Sequence, residues 1–118
     1  PPMAPAELLI ASARALLEEH GWVRHHLHGP RGYCVVGALR AVALGDQEAL
    51  HEALSIVASR CPAAENHPEP LPEDPERRRL VEEYRWTARI LAYNDSPGMN
   101  RPIEDRKNII FLLHGAQK

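Results

Sequence analysis

Cys34 carries the most chemical promise in this chain. It heads the run Cys34-Val35-Val36-Gly37-Ala38-Leu39, which reads as a helix start, where backbone dipoles lower a thiol's pKa and favour a thiolate. A nucleophile there needs a base, and His51, His114 or a loop histidine would supply one, with Asn94 orienting it. That set outlines a small cysteine-dependent hydrolase. Yet Cys34 lies between Tyr33 and Val35 at the head of the most apolar segment, so a packed structural thiol is preferred, and with it a non-enzyme.

Imidazoles form a second concentration at His20, His25, His26 and His28, and such groups suit zinc, nickel or copper. His25, His26 and His28 would be the ligands. No carboxylate stands between Glu19 and Asp46, and there is no Cys-x-x-Cys pattern. A polar loop is therefore preferred, and no metal or other cofactor is expected.

A third group is Arg77, Arg78, Arg79, Arg85 and Arg89 with Trp86 among them, a mixture that can hold single-stranded nucleic acid by charge and stacking. Glu76, Glu82 and Glu83 neutralise much of that charge at helical spacing. The whole chain agrees, with 14 basic against 16 acidic residues and a net charge of -2, where phosphate binders show a basic excess. Arg78, Arg85, Trp86 and Arg89 are better suited to another protein, since tryptophan and arginine are enriched among the residues that dominate interfaces.

These residues need elements to hold them. Few aromatics, at 5%, and frequent Ala and Leu favour helices over strands. The first helix runs from Ala4 to His20 with Leu9, Ala13, Leu16 and Leu17 inward, and Gly21 ends it. Residues 24–32, with Gly29, Pro30 and Gly32 among them, read as a hairpin-like loop. The segment Tyr33–Leu44 has Arg40 as its only charge and is apolar round most of its circumference, so it belongs at the centre of a bundle. Its small residues Gly37, Ala38 and Ala41 invite close approach of a neighbouring backbone.

Gly45 ends that helix and Asp46 caps a third, Gln47 to about Arg60. Prolines at 62, 68, 70, 72 and 75 make 61–75 a surface loop. Asp74-Pro75-Glu76 then starts a fourth helix to about Tyr93, with Leu80, Tyr84, Ala88 and Leu91 inward. Trp86 sits at the edge of that stripe, either widening the core, which is preferred, or forming a patch with Ile90. Asn94-Asp95-Ser96-Pro97-Gly98 reads as a turn, with Asn94 and Asp95 serving backbone groups rather than chemistry, and Asn100 caps a last helix.

Three motifs together, Gly21-Trp22, Cys34-x-x-Gly37-Ala38-Leu39 and Tyr93-Asn94-Asp95-x-x-Gly98, resemble a family of small uncharacterised proteins from actinobacteria and their phages. Two positions depart from its pattern. Tyr93 stands where tryptophan is common, and Asn100-Arg101-Pro102 replaces a Thr-x-x-acid capping box. The resemblance implies an architecture and a source, and no catalytic role. A phage origin would imply binding and modulation of a host protein.

The expectation is thus an all-α bundle of about five helices forming one domain over 1–118. Its expected role is a protein-interaction module, with self-association as a homodimer left open. No 18-residue apolar run exists for a membrane. The N-terminal layout is not that of a secretory signal and the two cysteines read as reduced, so the cytoplasm is the expected location.

Overall fold

A computed structural model describes residues 4–25, 27–61, 70–95 and 109–114. Helix α1, Pro5–His20, has proline in its first turn, where a missing N–H costs nothing, and the Glu7 carboxylate accepts the Ala4 N–H at 2.9 Å. Gly21, at φ 99°, takes the chain off the helix end, and its N–H reaches back to the Leu17 carbonyl. The loop beyond closes as a two-residue hairpin, β1 His28–Gly29 paired antiparallel with β2 Gly32–Tyr33. Tyr33 is also bridged to the 21–23 segment, donating to the Gly21 carbonyl and accepting from Val23 N–H.

Helix α2, Val35–Ala43, starts later than the apolar pattern suggests because Tyr33 is held in β2 and Cys34 serves as its N-cap. Val35, Val36, Gly37, Ala38 and Leu39 are all buried, and α1, α3 and α4 pack around them. The expected central position of this segment is what the fold shows. Ala41, expected at a close backbone approach, is instead exposed, while Gly37 does meet one. A Cβ on Gly37 would stand 1.8 Å from the Leu27 carbonyl oxygen, so the hairpin strap lies directly on α2. Leu44, at φ 50°, and Gly45 then turn the chain into α3, Gln47–Ser59, capped by Asp46 accepting from Ala49 N–H at 3.0 Å.

Helix α4, Pro75–Asn94, is capped by Asp74 accepting from Arg77 N–H at 3.0 Å. Its inward face differs from the expected one at Leu80 and Tyr84 but keeps Leu91, which packs part-buried against the core. Leu80 and Tyr84 are 68% and 71% exposed, while Ile90 and Asn94 are buried and Trp86 packs part-buried against the core. The packed face steps through 79, 83, 86, 90 and 94, a helical spacing that includes three polar positions. These are tolerated because each is partnered: Arg79 by Glu48, Glu83 by His51, and Asn94 by the clamp described below. An apolar-only stripe misses such a face.

A helical turn at 109–112 adds Ile109, Leu112 and Leu113 to the core, and Arg60 Nη1 donates to the Leu112 carbonyl at 3.0 Å. The expected Asn100 cap, the start of that last helix and most of the proline-rich loop lie outside the described residues. The result is a small mostly-α domain, and no helix among the described residues is long and apolar enough to cross a membrane.

The strap geometry is testable with two glycines. Gly37→Ala forces backbone against backbone and is expected to cost about 3 kcal/mol or more in urea unfolding. Gly29→Ala, whose Cβ meets nothing within 4 Å, is expected to stay within about 0.5 kcal/mol of wild type. Equal effects at the two positions would contradict the contact.

Candidate functional site

Asn94 is 1% exposed, and its carboxamide uses every bond it can make. Oδ1 accepts from Trp22 Nε1 at 2.7 Å and from Val35 N–H at 3.1 Å. Nδ2 donates to the Val23 carbonyl at 3.2 Å and to Asp95 Oδ1 at 2.8 Å. Asp95 Oδ1 in turn accepts His25 N–H at 2.9 Å, and its Oδ2 lies 3.8 Å from His25 Nδ1. The C-terminal end of α4 therefore grips the N-terminus of α2 and the strap before it. Gly21-Trp22, Cys34, Gly37 and Asn94-Asp95 all take part in this one assembly.

Cys34 is buried, and its sulfur accepts Gly37 N–H at 3.3 Å as an N-cap, a role serine more often fills. Burial raises its thiol pKa, outweighing the backbone N–H groups of Gly37 and Val36 that pull it down. Asn94 is close by, through Val35, but its amide is committed to other groups. His51 instead donates or accepts at Glu83 Oε2, 2.6 Å away on α4, and its ring meets Trp86 edge-on at 4.9 Å. His114 stacks on Phe111. Among the described residues no imidazole is bonded to Cys34.

Among the described loop histidines, His25 and His28 have different partners. His25 is tied to Asp95, and His28 stacks on Tyr33 at 4.3 Å between ring centres. His26 lies outside the described residues. Among the described residues, no three His, Cys, Asp or Glu side chains gather in a way that would hold a metal ion.

The four residues assigned to a partner differ in exposure. Arg78 is exposed, whereas Trp86 is part-buried against α3. Arg89 donates through Nε, at 3.0 Å, and Nη2 to the Cys61 carbonyl, and so secures the end of α3. Arg85 is part-buried. What α4 does present is Leu80 and Tyr84, which wall a groove of about 500 Å³ whose floor is Ala43, Leu50 and Leu54. A second hollow, of about 560 Å³, is lined by Asp46, Glu48, His51, Glu52 and Trp86. The His51–Glu83 bond is the partition, His51 facing one hollow and Glu83 the other. The sequence did mark Leu80 and Tyr84 as large apolar residues on α4; only their direction was misjudged.

Two measurements follow from the clamp. Asn94→Ala strands an indole N–H, an amide N–H and a carbonyl in the interior, and is expected to cost about 3 kcal/mol or more. Cys34, kept as the thiol by burial, is expected to resist alkylation below pH 9 until denaturant unfolds the chain, with the modified site read by peptide mass mapping. Rapid native alkylation near neutral pH would instead mark an activated thiolate.

No curated protein and no solved structure matches this chain. A family model does match, over residues 1–103, which takes in the hairpin strap, the α2 cap and the Asn94 clamp. The chain belongs to that family, DUF6197, a family of unknown function.

Proposed function

We propose that this protein is an interaction module, binding another protein through the groove between α2, α3 and α4. The observation that carries this reading is the exposure of Leu80 and Tyr84 beside an apolar floor, in a chain whose other large side chains mostly reach the core. Such a patch with polar surroundings is the usual mark of a protein-binding surface. Leu44, 89% exposed at the adjacent α2–α3 turn, extends the apolar surface. Its mechanism is surface complementarity without chemistry. A cytoplasmic setting, and a source among actinobacteria or their phages, belong to the same proposal, with a host protein as the target if the source is a phage.

The test is affinity capture from an actinobacterial lysate with wild type and with a Leu80→Glu/Tyr84→Glu double variant, followed by reconstitution with the purified candidate. Both substituted side chains are solvent-facing, so the variant is expected to keep the wild-type melting temperature within a few degrees, about what 0.5 kcal/mol allows. A partner that binds wild type and loses about tenfold or more in affinity for the variant is the expected result. The same proteins retained equally by both would refute this surface. Concentration-dependent dimerisation abolished by the double variant would identify a second copy of the chain as the partner.

A further inference from the structure

The groove has a polarity pattern that constrains what can fill it. Around its apolar floor stand Arg40, Gln47, Tyr84 and Thr87, and none of these four side chains makes a hydrogen bond or ion pair among the described residues. The other charged group of the lining, Glu83, has its carboxylate on His51 at 2.6 Å and within 3.5 Å of Arg79 Nε. Among the described residues, Arg40 is therefore the charge of the lining that has no ionic partner. A purely apolar occupant would desolvate that guanidinium without replacing its water, and a cationic one would be repelled. A carboxylate is matched by it, since the guanidinium offers paired N–H donors in a fixed fork.

Size and shape add a second constraint. The volume of about 500 Å³ is that of a substantial ligand site, yet the groove is open along one side and walled by exposed Leu80 and Tyr84. That form suits side chains projecting from one face of a helix. We infer that the groove takes an amphipathic helical segment of a partner protein, whose apolar side chains lie on Leu50 and Leu54 and whose acidic residue pairs with Arg40. This rests on the interaction reading above and assigns the partner's chemistry. Gln47, Tyr84 and Thr87 offer further hydrogen bonds at the rim.

The probe is a capped amphipathic peptide with leucines on one helical face and a flanking glutamate, made alongside glutamine and lysine counterparts and titrated into the full chain by NMR. The glutamate peptide is expected to bind about tenfold more tightly than the lysine peptide, with the difference shrinking at high salt. Arg40→Glu is expected to reverse the order, and Arg40→Gln to flatten it; folding of each variant is checked by its amide spectrum. Leu80→Ser, which removes apolar wall without adding charge, is expected to weaken all three peptides together. If wild type does not distinguish glutamate from lysine, or Arg40→Glu leaves the order unchanged, the acidic specificity is overturned while the groove remains a binding surface. If no peptide binds, or Leu80→Ser changes none of the affinities, the helical occupant itself is overturned. The interaction reading then stands or falls on the capture experiment.

Discussion

One buried carboxamide governs this fold. Asn94 closes contacts to residues 59 to 72 positions earlier in the chain, joining the end of α4 to the start of α2 and to the strap after α1. A buried amide is stabilising only when all its donors and acceptors are met, because each orphan costs about 1–3 kcal/mol. Here the arrangement is complete, so it works as a lock with a single fitting geometry. The indole N–H of Trp22, the first free N–H of α2 and the Val23 carbonyl must all arrive in register, and hydrophobic packing alone supplies no such directionality. Gly37 makes the register possible by letting the strap backbone lie against α2.

This lock also explains what the recognisable residues of the chain do. Gly21, Trp22, Cys34, Gly37, Asn94 and Asp95 have the types found in catalytic centres, yet their polar atoms are engaged with the protein itself. Cys34 caps a helix, and burial keeps its proton on the sulfur. The residues that spell out the family resemblance therefore account for an architecture. The groove walled by Leu80 and Tyr84 lies on a different part of the molecule, and its side chains make no appearance in those motifs.

Local signals were legible and distant ones were not. Asp46 and Asp74 as caps, Pro5 and Pro75 in first turns, and the break at Gly21 all depend on neighbours within a few residues, so the sequence displays them directly. The central place of α2 was legible for a similar reason, since a nearly uncharged helix has few other homes. The phase of α4 was not. Its packed face carries Arg79 and Glu83, whose presence there depends on Glu48 and His51 lying opposite on α3, and pairings of that kind leave no mark on periodicity. Asn94 looked like an ordinary turn residue, because nothing near it announces that Trp22 and Val35 are its partners. The groove was hidden by the same error, since turning α4 inward at Leu80 and Tyr84 filled it.

The two ends of α4 are held by different forces. Ile90 and Asn94 bury its C-terminal end in the interior, whereas around residues 79–83 it meets α3 largely through charged pairs on a wet seam. Pairs of this kind contribute little net stability and tolerate exchange of one partner for another. The near half of the helix is thus expected to absorb substitution with less loss of stability than the far half. The outer surface there can be reshaped while the distant lock keeps the scaffold unchanged.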